Sequence, residues 1–234
     1  RNGDLVHRLF FEVTVTQGTD NEPNPGHNVI DTVECEIGGQ MIDRHYGHWM
    51  EAWAELTEPN DAALMGDAAT DGTGTKFQNM AKAGGCIGTN SHMKCTVPLQ
   101  FWFCRNPGLA LPLIALQYHE VKIIVQWAAS GFVPTVPELW ADYIYLDTDE
   151  RRRFAQVSHE YLIEQVQFQT GQNKASNTLN FNHPVKELIW TGGVTTTATV
   201  TEGPSTPLTV STGSTYKLVL NGHDRFAARD YRYF

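Results

Sequence analysis

Long apolar runs are missing from this chain. A helix that crosses a bilayer needs about 18 or more consecutive apolar residues. The longest apolar stretch here, Leu109 to Leu116, is short and interrupted by Pro112. No stretch combines the charged start, apolar middle and small-residue cleavage site of a secretory leader. Cysteine is scarce, with four in 234 residues, at positions 35, 86, 95 and 104. None of them stand in Cys-x-x-Cys spacing, which argues against a structural zinc, and nothing resembles a small disulfide-stapled scaffold. The expectation is free thiols and a reducing, cytosolic place of synthesis. Charge is thin at 18% and the net charge is −9, so there is no basic excess from which to build a nucleic-acid-binding face. The one basic run, Arg151-Arg152-Arg153, directly follows Asp147, Asp149 and Glu150 and reads as a self-compensating linker. Gly-x-Ser-x-Gly, the phosphate-cradling Gly-Lys-Ser/Thr and Asn-x-Ser/Thr are all absent.

Aromatic residues, Gly, Thr and Asn are plentiful, a balance that leans towards β structure with many turns. Period-2 alternation recurs in short runs, the signature of half-buried strands. Leu9, Phe11, Val13 and Val15 form one apolar face, Val33, Cys35 and Ile37 a second, and Val97, Leu99, Phe101 and Phe103 a third. Further strands are predicted at 121–127, 139–146, 162–168, 178–182, 185–190, 195–201 and 216–220. Turn chemistry separates them at Glu22 to Gly26, Gly38-Gly39, Asn106-Pro107-Gly108 and Asn221-Gly222. Many short strands with regular turns predict a sandwich or barrel. One helix is predicted, with His45, Trp49, Ala52, Trp53 and Leu56 on one face and Pro59 ending it. Residues 57–92, rich in small and polar residues, read as a long surface excursion. A faint internal echo pairs Val33 to Arg44 with Tyr216 to Arg225: each is a strand, a glycine turn and then Asp-Arg.

Chemistry-bearing constellations are few. Gly39, His45, His48 and Glu51 are reminiscent of a cupin metal site, but that site needs His-x-His on a strand, and the spacing here is His-x-x-His. On a helix, positions three apart share a face, so a two-histidine metal pair stays open beside plain aromatic and imidazole packing. His119-Glu120 and His159-Glu160 are adjacent pairs, whose side chains point opposite ways on a strand. Each histidine is expected to be buried and hydrogen-bonded. Cys104 is expected to continue a strand in or beside the core, and Cys86 to lie exposed in a glycine-rich loop.

Pro107 to Lys122 (Pro-Gly-Leu-Ala-Leu-Pro-Leu-Ile-Ala-Leu-Gln-Tyr-His-Glu-Val-Lys) is the most specific text in the chain. With it stand Glu36 to Tyr46, Asp142 to Thr148, Arg153 to Gln156, His159 to Phe168 and Asn180 to Lys186, in order along the chain. Together these segments resemble the major capsid proteins of nucleocytoplasmic large DNA viruses, the phycodnavirus-like ones of algae above all.

The resemblance implies an all-β double jelly roll, two β-sandwiches in tandem. Residues 1–147 are then a first jelly roll lacking its opening strands, 148–158 a linker, and 159–234 the truncated beginning of the second. The chain is expected to be a partial sequence that leaves sandwich core exposed and is poorly soluble alone. The implied function is a structural subunit of an icosahedral capsid, assembling as a homotrimeric, pseudo-hexagonal capsomer in the virion after synthesis in the host cytoplasm. Implied partners are other copies, minor capsid proteins and the inner viral membrane, with no direct nucleic-acid binding. The resemblance implies no enzyme activity, cofactor, or catalytic, cofactor-binding or metal residue. Residues 57–92 would project from the first jelly roll, to meet neighbouring chains, carry glycans at unconventional sites or face the host. The alternatives are a cupin- or lectin-like jelly-roll protein binding a metal or carbohydrate, and a related jelly-roll protein that no longer assembles.

Overall fold

The computed structural model of the chain describes residues 3–17, 23–70, 72–87, 93–129, 131–171, 176–190, 215–230 and 233. Strand β1 (Leu5–Gln17) shows the alternation most clearly. Leu9, Phe11, Val13 and Val15 are buried, while Arg8, Phe10, Glu12, Thr14 and Thr16 turn outward. Seven further strands and five helical segments follow before the chain returns to β1. They are α1 (Pro25–Asn28), β2 (Ile30–Ile37), β3 (Gln40–Tyr46), α2 (Gly47–Thr57), β4 (Gly66–Asp67), α3 (Lys76–Ala81), β5 (Cys86–Ile87), β6 (Met93–Pro98), α4 (Trp102–Arg105), a 3-10 turn (Pro107–Leu109), β7 (Leu111–Pro112) and β8 (Val121–Trp127). Strand β9 (Phe132–Ile144) then pairs antiparallel along the whole of β1, from Gln17↔Phe132 to Leu5↔Ile144.

β1 is held on both edges. Phe10 faces Trp140 of β9 on one side and Pro98 of β6 on the other, and β7 continues the second edge at Leu5 and Val6. The second sheet repeats the plan with β2 in the middle, Val33 lying between His45 of β3 and Val125 of β8. The two sheets close on one core of Leu9, Phe11, Val13, Val15, Val33, Cys35, Cys95, Val97, Phe101 and Phe103, each at most 5% exposed. This is a β-sandwich.

The connections sort to two ends. At one end Asn24 N–H donates to Cys86 O (3.0 Å) and Ala128 N–H to Val29 O (3.0 Å), gathering the β1–β2 link, the 57–92 excursion and the β8–β9 link. At the other, Gly38 N–H donates to Glu120 O (2.9 Å) and Ile114 N–H to Asp4 O (3.2 Å).

Burial falls off across the sandwich. Inward residues of β1 and β2 are buried, whereas Val121, Ile123 and Val125 of β8 are only half-buried. Leu139 of β9 sits opposite buried Phe11, yet it is 48% exposed. No strand among the described residues pairs with the outer edges of β8 and β9. The sandwich is open along that side, and exposed Val133, Val136, Ile124 and Trp127 lie on those two strands.

Several expectations are corrected. The third apolar run ends as a strand at Pro98. Leu99, Phe101 and Phe103 are buried as foreseen, but from irregular chain and the helical turn α4, which also carries Cys104. The helix starts at Gly47, leaving His45 on β3. The linker forms α5 (Thr148–Gln156), capped by the Asp147 carboxylate, which accepts from Glu150 N–H at 2.9 Å. The segments 162–168, 178–182 and 185–190 carry the strand pattern but join no ladder, and 195–201 lies outside the described residues.

The first compact unit runs from Arg1 to Gln167. In the second, Phe168 to Phe234, short strands β10 (Thr215–Tyr216) and β13 (Arg229–Asp230) pair, as do β11 (Val219–Leu220) and β12 (His223–Asp224). The internal echo has a physical counterpart here. Gly38-Gly39 (φ 61° and 82°) and Asn221-Gly222 (φ 51° and 81°) both close hairpins through two left-handed residues, Ile37↔Gln40 and Leu220↔His223.

Gly47 marks a close approach: a Cβ there would run into the backbone carbonyl oxygens of His27 and Ile30. Gly47→Ala is expected to lower the unfolding free energy of the full-length protein by about 2–4 kcal/mol, since backbone cannot yield as a side chain can. Urea denaturation measures it, and an unchanged midpoint would show that the α2 junction relaxes freely.

Candidate functional site

The excursion 57–92 is anchored, and its anchor is the most polar construction in the sandwich. Glu51, on α2, sends its carboxylate under the loop. Its Oε2 accepts from His27 Nδ1 (2.5 Å) and Gly84 N–H (3.1 Å), and its Oε1 accepts from Gly85 N–H (3.0 Å). Asn24, in the left-handed conformation at φ 52°, accepts from Gly85 N–H (3.0 Å) and Cys86 N–H (2.6 Å) through Oδ1. Inside the loop, buried Gln78 is a second hub. It donates to Leu64 O (3.0 Å) and Gly84 O (2.7 Å) and accepts from Thr75 N–H (2.8 Å), which closes the capping box of α3. β4 and β5 then pair in parallel across the loop's base. Leu56, Leu64 and Met65 remain exposed on this rigid support.

Electrostatics explains the choice of a carboxylate. Burial raises the Glu51 pKa, but the His27 hydrogen bond and charge, with the Gly84 and Gly85 N–H groups, more than offset it and hold the group below its usual range. Neighbouring Glu55 is pushed up by burial and by the Glu51 charge.

The histidine constellation of the sequence does not converge. His45 is 1% exposed, stacked on Phe101 (4.6 Å) and meeting the tilted ring of Trp49 (4.5 Å), with Nε2 donating to Asp43 Oδ2 at 2.8 Å. Its Nδ1 has no hydrogen-bond partner. His48 is exposed against Tyr46 (5.5 Å), Gly39 lies in the β2–β3 turn, and Glu51 belongs to the loop anchor. Among the described residues no group of three or more His, Cys, Asp or Glu side chains could hold a metal. The Trp53 ring is engaged within the protein, with the Arg105 guanidinium over it at 4.5 Å and Trp49 stacked at 5.7 Å.

His119 is exposed, against expectation, while His159 is half-buried with Nε2 at 2.9 Å from Phe154 O. Cys86 is buried, not exposed. All four cysteines are free; burial pushes Cys35, Cys95 and Cys104 up to about 12 and Cys86 up to about 11. The Asp43–His45 pair had a readable signal, since residues two apart on a strand share a face. The His27–Glu51 and Asn24–Cys86 bonds had none, because they join residues brought together only by the fold.

With no convergent chemistry among the described residues, relatives decide the matter. The profile described as major capsid protein N-terminus matches residues 1–147, and that of the large eukaryotic DNA virus major capsid protein matches residues 150–234. The chain belongs to this capsid protein family. It is 49% identical to the major capsid protein of Pyramimonas orientalis virus, over 100% of this chain and 59% of that protein. It is 36% identical to that of Paramecium bursaria Chlorella virus 1, over 100% of the chain and 62% of that protein. Among solved structures it matches the PBCV-1 virus capsid with a TM-score of 0.70 at 32% identity, covering 100% of this chain and 66% of that one. The chain thus spans about three fifths of the length of these curated relatives, and its all-β fold is an incomplete form of the family's double jelly roll.

Two outcomes are expected, one of the anchored loop and one of the buried thiols. Because the folded Glu51 pKa lies below its unfolded value, its contribution is complete above about pH 4.5 and is lost as pH falls through the folded value. Protease cleavage within 57–92 should therefore rise on acidification. Glu51→Gln should raise cleavage at pH 7, remove most of that pH dependence and cost about 1–3 kcal/mol. A flat wild-type pH profile would contradict this. In the native protein at pH 8, a maleimide should leave Cys35, Cys86, Cys95 and Cys104 almost unlabelled, all four reacting once denatured; peptide mass mapping reads the sites.

Proposed function

We propose that this chain belongs to the structural subunit of an icosahedral capsid, working by assembly and catalysing nothing. The observation that carries the proposal is the chain-long similarity to viral major capsid proteins, through both profiles and the PBCV-1 capsid fold. The geometry supports it. Two stacked sheets make a stiff wall, one end bears an excursion pinned by Glu51, Asn24 and Gln78, and polar side chains are spent on holding loops. In this reading residues 1–147 belong to a first jelly roll, 148–158 link, and 159–234 open a second. The open side along β8 and β9 takes strands from chain outside this sequence, and the unladdered segments 178–182 and 185–190 find theirs there too.

Three subunits with two sandwiches each form a homotrimer of pseudo-hexagonal outline. The capsomers tile the virion shell and meet minor capsid proteins and the inner membrane. With a net charge of −9 the chain does not package nucleic acid itself.

The full-length protein is expected to show the mass of a trimer by light scattering, and pseudo-hexagonal particles by electron microscopy. A clean monomer across the micromolar range would remove the capsomer from this proposal.

A further inference from the structure

The family boundary and the physical boundary of the first unit do not coincide. The second capsid profile begins at residue 150, while the first compact unit continues to Gln167. Helix α5 buries none of its residues. Its Arg151–Asp4 ion pair (2.9 Å) involves an arginine that is 52% exposed, and such surface pairs contribute little. The segment after the helix is what engages the sandwich.

Four consecutive residues make that engagement. Ile163 packs against the hydrophobic core. Glu164 Oε2 accepts from the Arg105 guanidinium at 3.0 Å, the same guanidinium that lies over Trp53. The Gln165 side-chain amide donates to Ile42 O. Val166 N–H donates to Asp43 Oδ1 at 3.0 Å. Asp43 is 3% exposed, so each of its acceptor sites must be filled from within the protein. His45 Nε2 fills one oxygen, and Arg44 N–H (3.0 Å) shares the other with Val166. Withdrawing the segment leaves a buried carboxylate short of a donor and opens the core beside Ile163. The contacts run along β3, at the side of the second sheet away from β8.

We propose that Asp43, Arg105 and the core beside Ile163 form a latch that captures residues 163–166. Through it the opening of the second capsid region becomes a structural part of the first sandwich, and the two regions unfold as one. The latch goes beyond the capsomer reading and does not depend on trimer formation. Asp43 and Arg105 are positioning residues: they fix where the chain leaves the first sandwich.

The test uses the full-length protein and two variants. Val166→Pro removes the N–H given to Asp43. Ile163→Ala with Glu164→Gln weakens the latch while leaving the Asp43 bonds in place, and it decides the question if the proline variant fails to fold. Thermal unfolding is followed by tryptophan fluorescence and circular dichroism, and tryptic cleavage after Arg151, Arg152 or Arg153 is identified by mass. The wild type should unfold in one transition seen alike by both probes. The variants should separate into two transitions, with linker cleavage at least tenfold faster. A wild type that already melts in two steps overturns the latch, as do variants that keep one coincident transition and wild-type cleavage. Mass in solution separates this from the capsomer reading: a monomer with latch-dependent single-step melting would lose the trimer and keep the latch.

Discussion

Everything in the first sandwich hangs on β1 being paired along both edges. A strand with two partners has its backbone donors and acceptors filled, so its alternation decides which face becomes core. Slipping the register by one residue would swap Phe11, Val13 and Val15 for Glu12, Thr14 and Thr16 in the interior. β2 obeys the same constraint in the facing sheet. Burial falls from β1 and β2 outward to β8 and β9, whose outer edges no strand among the described residues covers, whereas Cys95 and Val97 of the opposite edge strand β6 stay buried.

The polar groups are spent where the chain must leave this regular frame. An excursion of residues 57–92 has too little apolar content to hold itself down, and backbone N–H groups at its base need acceptors. Glu51 and Asn24 supply them from below, and Gln78 accepts from Thr75 N–H within the loop. Asp43 does the same for the segment returning after α5. In each case a side-chain oxygen accepts backbone N–H groups and so positions irregular chain. A shell subunit needs that firmness at its loops, since neighbours meet loops and rims before they meet a core.

What the sequence made legible follows the range of the interactions. β1, β2 and β8 were readable because alternation is local, and the Gly38-Gly39 and Asn221-Gly222 turns because positive φ has few residues that accept it. Leu99, Phe101 and Phe103 carried the right burial but the wrong conformation: the alternating pattern reports which residues go inside, and Pro98 ends the ladder regardless. The spacing of His45 to Trp49 fits a helix. The strand pairing Val33↔His45 overrides that spacing. Cys86 and His119 were misplaced for a related reason, since exposure depends on what folds over a residue. The Glu51 anchor was invisible, as His27, Gly84 and Gly85 are its partners only in three dimensions.

Strand character without a ladder is the last physical clue. Residues 178–182 and 185–190 have the composition and alternation of strands, and they leave Leu179, Val185 and Trp190 exposed. β8 and β9 show the complementary defect: each has a formed ladder on one edge, and no strand among the described residues pairs with the other. An isolated segment cannot supply its own hydrogen-bond partners, so a strand-like sequence persists only where another strand meets it. Further strands of the same architecture would meet both, and this chain covers 59% and 62% of two of its relatives. Leu56, Leu64 and Met65 stay exposed at the start of the anchored excursion and on the helix before it, apolar surface of another kind, carried on chain that is held in place.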